Sequence, residues 1–114
     1  MEKQDRIYIS GHQGLVGSAI LRQLENRGFG KIITKKRSEL DLTIQEQVRL
    51  FFDEYRPDYV FLASGKTGGV YANDTYRAEF LYENLSIQAN VIHQAYLHEV
   101  KKLIFYGCSS MYPK

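Results

Sequence analysis

The succession of apolar runs along the 114 residues predicts an α/β fold, a doubly wound parallel sheet covered by helices on both faces. Three observations predict it. An apolar strand at residues 6–10 runs straight into GHQGLVG, Gly11 to Gly17, and then into a helical periodicity. Short strand patterns then alternate with longer helical ones in βαβ order. Tyr59-Val60-Phe61-Leu62 is an unbroken apolar run, as strands buried on both faces require.

Each element follows in order. Behind the glycines, Leu15, Val16, Ala19, Ile20 and Leu24 recur at helical spacing, and Gly28 is placed to close that helix. A second strand is expected at residues 31–34. Residues 38–42 read as a turn with a very short edge strand. Thr43 and Glu46 have capping-box spacing, and they open a helix carrying Val48, Leu50, Phe51 and Phe52 that must end before Pro57. The glycine-bearing stretch 64–69 is a loop. A long helix is expected to start between Asp74 and Ala78 and run to about His98, with Phe80, Leu81, Leu85, Gln88, Val91, Ile92, Ala95 and Tyr96 inward. Residues 103–106 form the last strand. Right-handed crossovers then give a strand order of 3-2-1-4-5. The last strand reads as interior, with no proline or charge to protect an edge, so the 114-residue chain by itself is expected to self-associate.

Composition narrows the functional classes. With 44% apolar and 25% charged residues the chain is globular and of one-domain size. A net charge of +2 and one short basic run, Lys35-Lys36-Arg37, argue against a nucleic-acid partner. A single cysteine excludes an internal disulfide and fits a reducing compartment. There is no apolar run long enough for a membrane span and no leader pattern after Met1, so the cytoplasm is expected. His93 and His98 lie on a helix without a matching Cys or Asp, and no metal is expected.

The glycine turn carries the clearest chemistry. Gly11 should make the turn, Gly14 should let a pyrophosphate meet the helix N-terminus, and Gly17 should allow a close helix–sheet crossing. Such a loop between strand and helix is the mark of a Rossmann-type dinucleotide site. An NAD site usually offers an acid after the second strand to the ribose 2′-hydroxyl. Here Thr34-Lys35-Lys36-Arg37 stand there, with no acid before Glu39, which favours NADP(H). Taken singly, Lys35 or Lys36 reads as a base of a solvated turn; as a cluster at this address, the run reads as a phosphate site. Asp41-Leu42 would meet the adenine edge, or Asp41 could belong to a helix cap.

With these residues in hand, the chain resembles the GDP-L-fucose synthase family of extended short-chain dehydrogenases/reductases. The likeness lies in GHQGLVG, in LASGKTGGVYAN from Leu62 to Asn73, in FLYENLSIQANVIHQAY from Phe80 to Tyr96, and in GCSSMYPK from Gly107 to Lys114. It implies 3,5-epimerisation and NADPH-dependent 4-reduction of a GDP-4-keto-6-deoxy-sugar, and a homodimer when full-length. Cofactor contacts then fall on Gly11, Gln13, Gly14, Leu15, Val16, Gly17, Lys36, Arg37, Asp41, Leu42, Ala63 and Ser64. Arg37 takes the 2′-phosphate arginine's position, and Gln13 stands where a second arginine often helps. Gly68, Gly69 and Ser109 fall near the substrate, and Asn84 on the helix behind the site.

The resemblance breaks at the catalytic stretch. Cys108 occupies the position of the serine that hydrogen-bonds the substrate oxygen, and Ser110 that of the acid/base cysteine. A serine hydroxyl ionises far less readily than a thiol, whose reference pKa is about 8.5. Cys108 is equally a small buried residue at a strand end. The family's Tyr-x-x-x-Lys pair and its substrate domain fall beyond Lys114, so residues 1–114 correspond to an N-terminal NADP-binding part. Tyr112 does not replace that tyrosine, because Pro113 follows and no lysine stands four residues on. Three functions remain open: the epimerase/reductase, a reductase-only enzyme acting on a GDP-4-keto-6-deoxyheptose, and a nucleotide-binding or interaction module without turnover.

Overall fold

The computed structural model describes residues 1–63 and 74–106. Its elements are β1 (Ile7–Ser10), α1 (Leu15–Asn26), β2 (Ile32–Thr34), α2 (Gln45–Tyr55), β3 (Tyr59–Leu62), α3 (Asp74–Leu97) and β4 (Lys102–Phe105). The strands form a parallel sheet in the order β2-β1-β3-β4. In register, Ile7 stands between Ile32 and Tyr59, and Val60 stands opposite Leu103.

Strand alternation sends successive side chains to opposite faces, and each face has its own core. Tyr8, Val60 and Leu62 meet Val48, Phe51 and Phe52 of α2 and Ile87, Val91 and Ala95 of α3. Ile7 and Ile9 meet Leu24 of α1 on the other face, with Ile20, Phe29 and Phe61 packed around them. All four residues of β1 are buried, as its central place demands. Complete burial of an aromatic such as Phe52 contributes about 1.5–3 kcal/mol.

The chain reversals after α1 and α3 share one geometry. After α1, the Gly28 N–H bonds the Glu25 carbonyl and the Phe29 N–H bonds the Leu24 carbonyl, with Gly28 at φ +87°. After α3, the Glu99 N–H bonds the Tyr96 carbonyl and the Val100 N–H bonds the Ala95 carbonyl, with Glu99 at φ +55°. Both are Schellman closures, but only the first uses the glycine that suits it. α2 ends at Tyr55, before Pro57, through a left-handed Arg56.

Four expectations are corrected. No strand forms at 38–42: the Glu39 and Leu40 N–H groups both bond the Lys36 carbonyl, which is turn geometry. Leu40 and Leu42 are buried on one side as a strand would have them, yet their segment bonds side chains instead of a neighbouring strand. The Asp41 N–H donates to Gln47 Oε1 of α2 at 2.9 Å, and Asn90 Nδ2 of α3 donates to the Leu42 carbonyl at 2.9 Å. The five-strand order 3-2-1-4-5 is therefore replaced, among the described residues, by four strands.

The capping box is absent as well. Ile44 is the N-cap of α2, the Thr43 hydroxyl donates to Asp41 Oδ1 at 2.6 Å, and Glu46 pairs with Arg49. In α1, Leu15 is 88% exposed and Val16 is also exposed, so the inward side of the helix begins after its first two residues. In α3 the inward stripe is Asn84, Ile87, Val91, Gln94 and Ala95, whereas Leu85, Ile92 and Tyr96 are exposed. Apolar residues stand on several sides of this helix, so its period alone did not say which side faces the sheet. Side-chain expectations for Phe80 lie outside the described residues.

Candidate cofactor-binding site

The glycine loop leaves β1 at its C-terminal end. Gly11 takes φ +76°, a conformation open to glycine at no steric cost, and the Gly14 N–H bonds its carbonyl at 3.0 Å. Gly14 is the N-cap of α1, and the first helical bond runs from the Ser18 N–H to the Gly14 carbonyl. The N–H groups of Leu15, Val16 and Gly17 thus open the helix without intrahelical acceptors, and no acid stands in that first turn. The arrangement suits an anion. A Cβ on Gly17 would lie 1.9 Å from the Gly11 carbonyl oxygen and 2.6 Å from its carbon. Gly17 is therefore required by the loop's own backbone, and not by the helix–sheet crossing expected from the sequence.

Ser10, at the end of β1, was not singled out by sequence. Its buried hydroxyl donates to the Phe61 carbonyl at 3.3 Å and accepts from the Ala63 N–H at 3.1 Å. This pins the exit of β3 beside the glycine turn. A small polar residue closing an apolar central strand was the available signal.

A cavity of about 260 Å³ lies at these strand ends. Gly11, His12, Gln13 and Gly14 form one rim, and Lys35, Lys36, Arg37 and Asp41 form the other. Tyr8, Leu40, Leu42 and Ala63 line its floor, with Glu83 and Ile87 of α3 closing it. Most of the sequence-selected cofactor residues are thus brought together. Leu15, Val16 and Gly17 stand beside the cavity and not among its lining. Ser64, Gly68, Gly69, Cys108, Ser109 and Ser110 lie outside the described residues.

The basic run divides on folding. Lys35 Nζ donates to the Tyr55 hydroxyl at 2.9 Å and sits over that ring at 4.7 Å, and this bond raises its pKa. Arg37 Nη1 pairs with Glu83 Oε1 at 2.6 Å, while its Nε is 3.9 Å from Asp41 Oδ2. The hydroxyl of Thr43 holds the Asp41 carboxyl below the usual range. Glu39, which accepts the Lys36 N–H at 2.9 Å, is lowered by that bond. Burial pushes the Tyr8 phenol upward, so it is neutral at the cavity floor. Glu83 was missed by sequence, since a lone acid on a helix carries no address until the helix is docked.

Residues 7–114 match the model of the NAD dependent epimerase/dehydratase family. The chain belongs to that family. Putative GDP-L-fucose synthase 2 of Arabidopsis thaliana is 54% identical over 114 residues, the whole of this chain and 35% of the relative. GDP-L-fucose synthase of Escherichia coli K12 is 49% identical over the same span, again 35% of its length. Among solved structures, MlghC, a GDP-mannoheptose C4 reductase from Campylobacter jejuni with NADP bound, superposes with a TM-score of 0.91 at 49% identity. That superposition covers 99% of this chain and 36% of the other. The family member described here thus spans about a third of the relatives it matches. These relatives bear out the resemblance to GDP-L-fucose synthases. No described helix is long and apolar enough to cross a membrane.

Proposed function

We propose that this chain is the cofactor-binding portion of an NADP(H)-dependent enzyme that reduces a GDP-linked 4-keto-6-deoxy-sugar, with 3,5-epimerisation as in GDP-L-fucose synthesis. The observation that carries the reading is the single cavity that joins an acid-free helix N-terminus to Lys36 and Arg37. The open first-turn N–H groups suit the pyrophosphate, and the cations across the cavity suit a ribose 2′-phosphate. A volume of about 260 Å³ falls below the roughly 300–1,000 Å³ of complete ligand sites, so these residues hold one end of the dinucleotide. Bound NADPH supplies the hydride that a C4 carbonyl reduction consumes.

This chain's residues bind and orient. Gly11, Gly14 and Gly17 keep the backbone close and open to the pyrophosphate, and Ala63, tied to Ser10, borders the ribose side. Leu42 offers an apolar edge to the adenine. Protonation of the C4 oxygen is assigned to a Tyr-x-x-x-Lys pair, which residues 1–114 do not contain, and the chain by itself is proposed to be inactive. A homodimer of the full-length polypeptide is supported by the exposed Leu85, Ile92 and Tyr96 of α3.

The test is calorimetric titration of the full-length polypeptide with NADPH and NADH. Wild type is expected to prefer NADPH. Arg37→Ala should lose about 1.5–3 kcal/mol of NADPH binding, about ten- to a hundred-fold, with little effect on NADH. Equal affinities in the wild type would defeat the reading.

Reduction without epimerisation is the second reading, favoured by Ser110 at the cysteine position and by the likeness to a GDP-mannoheptose C4 reductase. On that reading, GDP-4-keto-6-deoxymannose kept in deuterated water with enzyme but no NADPH should stay unlabelled at C3 and C5. Rapid labelling there would restore the epimerase.

A further inference from the structure

Glu83 stands on α3 one turn before Ile87, and Ile87, Val91 and Ala95 anchor that helix in the core against the sheet. The backbone of Glu83 is therefore fixed by packing, and its carboxylate is carried to the cavity from the side opposite the glycine loop. Its side chain is 20% exposed and that of Arg37 is 58% exposed, so the pair sits at the cavity mouth. At 2.6 Å the two groups form a close ion pair. Arg37 and Glu83 also line a neighbouring hollow of about 550 Å³, with Thr43, Tyr82 and Ser86. The ion pair is thus the wall between two hollows.

The chemistry of the pair has opposite signs for the two nicotinamide dinucleotides. A 2′-phosphate must draw Arg37 away from Glu83, or share it, with a carboxylate left beside a dianion. A 2′-hydroxyl is a donor, and an acid near it is the feature that NAD sites use. We infer that Glu83 is a specificity-determining residue that competes with the 2′-phosphate for Arg37 and so tempers the preference for NADPH over NADH. The inference rests on the proposed cofactor reading.

The experiment titrates NADPH and NADH into the full-length polypeptide as wild type, Glu83→Gln, Arg37→Ala and the double variant. Glu83→Gln keeps the side chain's size and removes its charge. It should bind NADPH about five- to ten-fold tighter, bind NADH equally or more weakly, and show a smaller gain as salt is raised. In the Arg37→Ala background the same substitution should give a smaller gain in NADPH affinity, since the carboxylate still repels the 2′-phosphate but there is no guanidinium to compete for. An unchanged NADPH:NADH ratio in Glu83→Gln would overturn the inference while leaving the cofactor reading standing. So would weaker NADPH binding, which would make the carboxylate a positioning group for Arg37. A wild type that binds neither nucleotide would overturn both, and that result is read before any variant is considered.

Discussion

On one side of the cavity the chain turns on its backbone alone; on the other, residues 35–43, side chains hold the turn together with its backbone bonds. In the glycine loop the decisive quantities are φ +76° at Gly11 and the 1.9 Å that a Cβ on Gly17 would leave to a carbonyl oxygen. In the opposite loop, Glu39 accepts the Lys36 N–H, Asp41 accepts from Thr43, Gln47 accepts the Asp41 N–H and Asn90 donates to Leu42. Of those partners, Gln47 comes from the helix that follows the loop directly, and Asn90 from a helix distant in sequence. The first rim is a local solution and can be read from a few consecutive residues. The second has local bonds as well but is completed only when α2 and α3 are in place.

The comparison can be broken most forcefully at Gly17. Gly17→Ala should shift the loop off its present path, destabilise the full-length polypeptide by about 1–3 kcal/mol, and reduce NADPH binding at least about ten-fold. Urea unfolding and calorimetry measure the two effects. A variant of native stability and affinity would show that the loop has slack which its backbone contacts do not suggest.

A sharper test of local backbone control uses the two helix ends that share one geometry. Gly28→Ala places a Cβ at φ +87° and should cost about 1 kcal/mol. Glu99→Gly relieves the same conformation at φ +55° and should stabilise by up to about 1 kcal/mol, the left-handed penalty less glycine's larger unfolded-state entropy. Opposite signs in thermal unfolding are expected. The same sign for both would mean that residue contacts, not backbone conformation, govern these closures.

The smallest effect belongs to the loop held by side chains. Asp41 is depressed below its ordinary value of 3.8, chiefly by the Thr43 hydroxyl. Its contribution to stability is therefore present above that ordinary value and is lost as pH falls through the lowered folded-state value. Asp41→Asn should cost up to about 1 kcal/mol near neutrality. It should also lose less stability than wild type between about pH 6 and about pH 3. Parallel pH profiles for the two proteins would remove Asp41 from the forces holding this loop.

What the sequence determined by itself was whatever a short stretch of chain settles within its own reach. The run 59–62 became β3 as expected, the glycine loop follows a strand and opens a helix, and α2 stops before Pro57, because apolar continuity, φ freedom and the proline ring are properties of consecutive residues. The tertiary structure decided the rest. Leu40 and Leu42 alternate like a strand, but their backbone does not pair with β2 at the sheet edge, and side chains of α2 and α3 take up hydrogen bonds of this segment instead. Lys35, Lys36 and Arg37 are one basic run in sequence, yet Lys35 turns to Tyr55 and Arg37 to Glu83. Which cation a phosphate meets, and which acid stands guard beside it, depends on contacts between residues far apart in the chain, and those energies exist only after the helices have docked.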